Sequence, residues 1–470
     1  MRGDDLDHLV LVGGERPAQV LGRRQMAGAA LLGRAGEMAA RAADPDAAYR
    51  LFAESISLYE GQGDTHAAAR VSTRLARVER FTGRLDEALA RLERAFDVIS
   101  TDEPDEDLAL LAARLSLGYW SGGDLDRAAE RAELALDIAE AYGYTQALAI
   151  ALGAKAAIAH SRGHSEEALG LLKHELAIAL EHDLAEEASA SYFILSDQSF
   201  HRDRYADALG YLRESLELTR RVGNRPYEWS ILAEMTYALF MTGHWDEALN
   251  VMEGLTEEQA RSGGMFLSLL SGPLEIHLQR GNLAEARRLY SLFSNLEGST
   301  DVQERVCFFG ATAAMFRAED RLREALEAGQ KVTEGQQTLG VSHQAVEQGL
   351  VEALEAAVAL GDRDSARELV ATIEAIPPRR RPPYLEAHAH RFRARLDGDP
   401  AEFETAAARF REIDIPFWLA VTQLELGELT GDASLLAEAR EIFERLEARP
   451  WLERTDALGS RLPEASGVPG

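Results

Sequence analysis

Apolar residues recur along most of this chain at the three- and four-residue spacing of one helix face, as in Leu89, Leu92, Ala95 and Phe96. No stretch alternates in the manner of a Val/Ile/Thr strand, and no Asn-Gly or Asp-Gly hairpin signal falls in such a context. Ala, Leu, Glu and Arg dominate, all good helix formers, and there are only 14 prolines to interrupt them. The pattern predicts an all-α chain.

Between the apolar runs a short motif repeats: Gly or Asp, four residues, then Ala. It reads Gly83 to Ala88, Gly123 to Ala128, Gly163 to Ala168, Asp203 to Ala208, Gly243 to Ala248 and Gly281 to Ala286, with weaker copies at Asp320 to Ala325 and Gly361 to Ala366. The first five copies start 40 residues apart, and the next steps are 38, 39 and 41. A fixed period of this size marks a solenoid. Gly or Asp permits the left-handed turn between two antiparallel helices, and the Ala is small because the paired helices approach there. In the helix before each turn, Leu75-Ala76, Leu115-Ser116 and Leu195-Ser196 hold a large-then-small pair. The expected fold is a tetratricopeptide-like helix-pair solenoid, a right-handed superhelix of about ten to eleven pairs. The usual unit is about 34 residues. The longer period here is read as longer helices and connectors, such as Ser100 to Glu106. Degenerate units are expected to turn at Gly398 and Gly431, and an irregular N-terminal copy surrounds Asp44-Pro45.

Four spans follow. Residues 1–25 are expected to be a disordered N-terminal segment and 26–375 the repeat array. Residues 376–458 form degenerate helical repeats after a Pro/Arg linker, and 459–470 a disordered tail.

Charge and chemistry narrow the function classes. Net charge is −29, so phosphate would be repelled and a nucleic-acid partner is not expected. Three lysines (Lys155, Lys173, Lys331) against 47 arginines read as coding bias, not phosphate-binding design. The single cysteine, Cys307, sits in the apolar string Val306 to Phe309 and is expected to be a small core residue. No apolar run is long enough to span a bilayer, and the acidic start is no signal peptide, so no membrane partner and a cytoplasmic location are expected. There is no Gly-x-x-x-x-Gly-Lys-Ser/Thr loop, no Gly-x-Ser-x-Gly elbow and no His-Glu-x-x-His helix. Asp-Glu pairs such as Asp86-Glu87 and Asp246-Glu247 fall at second-helix starts, where acids suit the helix dipole. No enzyme, cofactor or metal is expected. His160 and His164 straddle a turn, and His388 and His390 are two apart on different helix faces; both sets read as ordinary surface histidines.

Trp120, His160, Phe200 and Phe240 form a column of bulky residues, each three before a turn residue and 40 apart. First helices line the concave face of such arrays, so the column reads either as a ladder gripping a peptide or as packing between repeats. Arg77, Arg80, Asp197 and Tyr237 are expected near the same groove. Arg379-Arg380-Arg381, between two Pro-Pro pairs, reads as an extended hinge or docking segment.

The C-terminal third carries more specific motifs: Ile376-Pro-Pro-Arg-Arg-Arg-Pro-Pro-Tyr-Leu-Glu-Ala387, Arg391-Phe-Arg-Ala-Arg-Leu396, Phe410 to Ala420, Glu441 to Phe443 and Ala448 to Arg454. These resemble the tetratricopeptide C-terminal region of bacterial adenylate/guanylate cyclase–ATPase multidomain signalling proteins, related to LuxR-type large regulators. The resemblance covers most of residues 30–458. It implies a signalling scaffold or sensor that binds a protein or peptide and regulates an ATPase or nucleotide cyclase module. The phosphate loop, the cyclase domain and a C-terminal helix-turn-helix have no counterpart in this sequence. Two other readings stand beside the scaffold: a fragment of a cyclase-type protein without its catalytic domain, and a small-molecule inducer sensor with its ligand in the superhelix interior. The pattern leaves the oligomeric state open.

Overall fold

The left-handed turn residues set the architecture. Gly123, Gly163, Gly243, Gly281 and Gly361 adopt φ of 82°, 83°, 78°, 76° and 72°, and Asp203 and Asp320 adopt 54° and 61°. Gly398 and Gly431 do the same at 69° and 74°. The computed structural model describes residues 17–82, 84–252, 266–333 and 335–460; Gly83 and the outer parts of the two expected disordered ends lie outside them.

All regular structure among the described residues is helical. The first helices are α1 (Pro17–Arg41), α2 (Pro45–Glu60), α3 (Thr65–Phe81), α4 (Leu85–Ile99), α5 (Glu106–Ser121) and α6 (Leu125–Tyr142). Next come α7 (Thr145–Ser161), α8 (Ser165–Glu181), α9 (Ala185–Phe200), α10 (Tyr205–Val222), α11 (Arg225–Met241) and α12 (Trp245–Met252). The chain continues through α13 (Ser268–Ser271), α14 (Pro273–Gln279), α15 (Leu283–Ser291), α16 (Val302–Ala318), α17 (Leu322–Thr333) and α18 (Gln336–Leu339). The last are α19 (Gln344–Leu360), α20 (Arg363–Glu374), α21 (Pro383–Asp397), α22 (Pro400–Glu412), α23 (Pro416–Thr430), α24 (Ala433–Leu446) and α25 (Arg449–Gly459). Helix α1 begins at Pro17, inside the span expected to be disordered.

The all-α helix-pair solenoid expected from the spacing is what forms. Its long period comes from helix length: α3, α5, α7, α9 and α11 each run 16 or 17 residues. Connectors between α5 and α12 are only two to four residues, so Ser100–Asp105 is an exception and not the rule. Many of the starts are locally encoded. Asp64, Asp105, Asp124, Asp362 and Asp432 accept a hydrogen bond from a first-turn amide, and Pro383, Pro400 and Pro416 open helices whose first N–H needs no partner. The motif alanines seal the pairs: Ala128, Ala168, Ala208, Ala248, Ala286, Ala325 and Ala366 are fully buried. Ser116 shows why the small residue opposite is needed, since its hydroxyl donates to Ala128 O at 2.7 Å across the pair.

The chain divides into two compact units: Met1–Ile194 with Glu214–Glu228, and Leu195–Arg213 with Trp229–Gly470. Both sides of the Pro/Arg segment lie in unit 2. There Arg381 donates to Glu374 O and Ile376 O, capping the end of α20.

Unit 1 is tied across its own repeats. The carboxylate of Glu186, at the start of α9, takes Arg41 of α1 at 2.8 Å and Arg77 of α3 at 2.7 Å. Unit 2 closes on itself by contacts far apart in sequence. Tyr384 N donates to Asp203 at 2.7 Å, His201 Nδ1 lies 3.0 Å from Ser342 O, and Arg280 Nε donates to Leu446 O at 3.0 Å. Trp451 Nε1 donates to Gln279 at 2.9 Å, and the Trp245 and Phe417 rings meet with centroids 5.4 Å apart.

Within unit 2, α21 holds a buried ion network. Arg391, fully inaccessible, donates to Glu355 at 2.6 Å and to both oxygens of Glu425 at 2.7 Å, and Arg395 completes it on Glu355 at 2.7 Å. Arginine suits this place because its planar fork satisfies two carboxylates at once. His388 corrects the surface reading. It is fully buried, edge-on to Tyr384, Phe410 and Trp418 at centroid distances of 4.6, 4.9 and 4.7 Å. Burial, with Arg391 beside it, holds its imidazole well below the usual range, so it stays neutral. His390 instead pairs with Glu402 at 2.6 Å.

Candidate partner-binding face

The first helices of unit 1 project charge from an alanine- and leucine-rich core. Helix α3 carries Arg77 and Arg80, one turn apart on one face; α5 carries Arg114; α7 carries Gln146; α9 carries Glu186 and Glu187. All but Glu187 stay partly exposed. Gln146 Nε2 donates to Glu187 at 2.9 Å, and Arg114 reaches the same carboxylate only at 4.0 Å. Burial and the neighbouring Arg77 depress the Arg80 guanidinium, and the same two causes push Arg114 down to about 10. Burial works to raise Glu186, and Arg77 and Arg41 together outweigh it and hold it low. Glu175 of α8 is different. Burial pushes it up to about 8, against a hydrogen bond from Ser191, so it is largely neutral at pH 7. Its carboxyl packs over Gly153, where a Cβ would fall 2.8 Å from the oxygens.

Between α3, α4 and α5 a narrow slot opens toward this face, enclosing about 30 Å³. Arg77, Arg80 and Arg114 stand at its sides, Leu85, Leu89 and Leu117 are among its apolar walls, and no carboxylate lines it. Gly118 belongs to the wall because α5 runs close over α4; a Cβ there would meet Leu89 at 2.7 Å.

The sequence-expected groove residues divide between the units. In unit 1, Trp120 is half-buried against the core and its Nε1 donates to Ser161 at the end of α7, 2.9 Å away. His160 is also partly buried, at the end of α7. In unit 2 the rings are spent on packing between repeats. Phe200 meets Tyr237 with centroids 5.7 Å apart, and Phe240 stacks on Trp245 at 5.8 Å; all four are buried. Tyr237 and Phe240 also line a small interior cavity with Glu275, Tyr384 and Trp418. Burial, with Glu352 nearby, pushes Glu275 up to about 7, and the Gln279 and Gln348 amides donate to it. Asp197 is exposed, 3.8 Å from His201 one turn on. Arg77 and Arg80 thus fall in one site, without the aromatics expected beside them.

Arg114, Glu186 and Glu187 escaped the sequence reading. A signal existed: Arg74-Leu75-Ala76 and Arg114-Leu115-Ser116 share an Arg-Leu-small pattern 40 residues apart. The repeat equivalence hides the outcome, because Arg74 pairs with Glu37 at 2.9 Å while Arg114 turns to the inner face. Glu186 and Glu187 read as ordinary first-turn acids.

Among the described residues, His66, Asp105 and Asp107 bring their ligand atoms within 4.8 Å of one another. Its atoms are already committed. Arg70 takes both Asp107 oxygens at 2.8 and 2.6 Å, while His66 meets Asp102 at 3.1 Å and Asp105 at 2.8 Å. Cys307 is buried, and burial raises its thiol.

Comparison with known proteins addresses the fold. Residues 28–100 match the tetratricopeptide repeat. No curated protein sequence matches the chain. Among solved structures, a Rap protein complexed with Competence and Sporulation Factor is 16% identical, with a TM-score of 0.45, covering 69% of this chain and 99% of its own. Yeast Tom70 is 13% identical, with a TM-score of 0.37, covering 80% and 98%. A signal transduction ATPase with numerous domains and a tetratricopeptide repeat sensor, from Pyrococcus horikoshii, is 14% identical at a TM-score of 0.36. That match covers 68% of this chain and 46% of the ATPase. At these identities and scores none of the three bears on function. All regular structure among the described residues is helical, as in the tetratricopeptide repeat matched at its N-terminal end. No helix among them is long and apolar enough to cross a membrane.

Proposed function

We propose that this chain is a non-catalytic scaffold or sensor in bacterial signalling, holding a protein or peptide partner on the inner face of unit 1. One observation carries the reading. Successive first helices α3, α5, α7 and α9 present partly exposed Arg, Gln and Glu side chains above an aliphatic core. Polar groups placed this way give a partner directional hydrogen bonds, while the apolar slot beside them gives it something to bury. Partner binding would shift the balance of arrangements within unit 1, and that shift would regulate an ATPase or nucleotide cyclase module on another polypeptide. The link to such a module rests on the sequence resemblance alone.

The test installs a photo-crosslinking side chain at Gln146 on the inner face, and separately at Glu130 on the exposed face of α6. A discrete protein or peptide adduct from Gln146 alone, formed in the producing cells, supports the proposal. An adduct from Glu130 alone, or none from either position, sinks it.

A further inference from the structure

The enclosure of unit 2 is held at one point by a carboxylate. Asp203 closes the left-handed turn between α9 and α10 and is only 2% exposed. It accepts the Tyr205 hydroxyl at 2.8 Å and the Tyr384 amide at 2.7 Å. Tyr384 lies in the first turn of α21, where an amide has no partner within its own helix. Its bond to Asp203, 181 positions away, is therefore a clasp between two distant segments, and that one amide reports whether the clasp is shut.

Beside the clasp lies a second carboxyl without compensation. Glu347 of α19 is 1% exposed, and its Oε1 has no hydrogen-bond partner. The charge that bears on it is that of Asp203, of the same sign. The other groups around the pair do not neutralise it. Tyr205, Tyr237 and Tyr384 bring phenol rings from α10, α11 and α21, and burial keeps all three hydroxyls protonated. His201, on the turn itself, acts on Asp203 and meets Ser342. His343, one turn before Glu347, is pushed down to about 4 by burial and His201, and His388 of α21 is held neutral. The guanidinium groups of this interior are committed elsewhere, Arg317 to Glu352, and Arg391 and Arg395 to Glu355 and Glu425. Glu275 of α14 is a third enclosed acid, but the Gln279 and Gln348 amides serve its two oxygens.

Two like charges shut away from water without a cation between them are costly, so the pair keeps a proton while it is enclosed. Burial pushes Asp203 up to about 6 and, with Asp203 beside it, Glu347 well above the usual carboxylate range. Hydrated in an opened unit, both groups would release their protons near the ordinary 3.8 and 4.5. Closure is therefore favoured most fully below those values and is lost as pH rises. Above about 6 Asp203 is ionised in either form, and the proton on Glu347 is the difference that remains.

We infer that the enclosure of unit 2 is a proton-operated clasp. Asp203 and Glu347 hold the turn between α9 and α10 against the start of α21 while the pair keeps a proton, and they release it when both are ionised. The signal read by unit 2 is pH. The clasp does not depend on the partner face of unit 1.

The test is hydrogen exchange of the full chain, resolved to the Tyr384 amide and expressed as a protection factor between pH 6.5 and 8.5, so that the intrinsic pH dependence of exchange is removed. Protection is expected to fall about tenfold per pH unit, the signature of one proton released on opening. Glu347→Gln should keep the protection and flatten its pH profile. Glu347→Leu, which also carries no charge, is the second variant and should give the same flat profile. Glu275→Gln should leave the native slope in place. Circular dichroism at each pH checks that the helices persist. A flat native profile overturns the inference, as does the native slope surviving in both Glu347 variants. A profile flattened in Glu275→Gln and not in the Glu347 variants overturns it as well, because the proton would then belong to Glu275.

Discussion

At the scale of single residues, buried ionisable groups are the informative ones. Glu175 is 5% exposed and pushed up to about 8 by burial. The folded state therefore holds a proton that the unfolded chain releases near its ordinary value of 4.5. Stability conferred by the protonated form is complete below that value and is lost as pH rises toward 8. Glu175→Gln should flatten this fall and raise the melting temperature at pH 8, each kcal/mol being worth about 2–4 °C in a unit of this size. Melting curves of both proteins between pH 5 and 8 check it, and an unchanged slope would contradict the burial argument. Arg391 is the opposite case, a buried charge whose partners are all in place. Arg391→Met leaves Glu355 and Glu425 to share Arg395 alone, and a loss of about 3 kcal/mol is expected in chemical denaturation. None of this was legible beforehand. Arg391 stands in sequence within the motif Arg391 to Leu396, but a helix position does not reveal which side chains from the next pair will meet it.

Elements were far more legible. The Gly-or-Asp turn, the following Ala and the large-then-small pair are local requirements, and each shows in sequence as a residue type that alternatives would replace at a cost. Gly163 tests this cleanly. Its φ is 83° and nothing lies within 4 Å of where a Cβ would stand, so Gly163→Ala adds backbone strain alone. A loss of about 1–2 kcal/mol is expected, read from the denaturation midpoint. Asp203 holds the same turn shape by other means, and its carboxylate takes the Tyr205 hydroxyl at 2.8 Å and the Tyr384 amide. The sequence shows an Asp where Gly is usual, and the structure supplies the reason. Helix lengths explain the long period, whereas the connectors invoked for it are mostly short. The column of bulky residues was legible as a column, but not its use. Phe200 and Phe240 lie inside the packing, while Trp120 and His160 keep an exposed edge.

For the whole molecule, the solenoid class followed from periodicity, since each repeat is a copy of the last. The site did not, because it gathers residues from non-adjacent repeats: Arg41, Arg77 and Glu186 come from α1, α3 and α9. Periodicity describes how neighbours stack and is silent on what meets after a full turn. Net charge acts at this scale too. With −29 on the chain, added salt should raise the melting temperature by screening self-repulsion. Melting curves in rising sodium chloride check the sign.

The closures within unit 2 carry a consequence for how it comes to be folded. A simple solenoid grows pair by pair, and its rate reflects short-range contacts. Here hydrogen bonds join residues separated by 141, 166, 172 and 181 positions. Each requires a long loop to close before it returns any stabilisation. Unit 2 should therefore gain its helices early and its final enclosure late. The Tyr384 amide, which donates to Asp203, should become protected from hydrogen exchange only in the slowest phase, well after amides in the middle of α21.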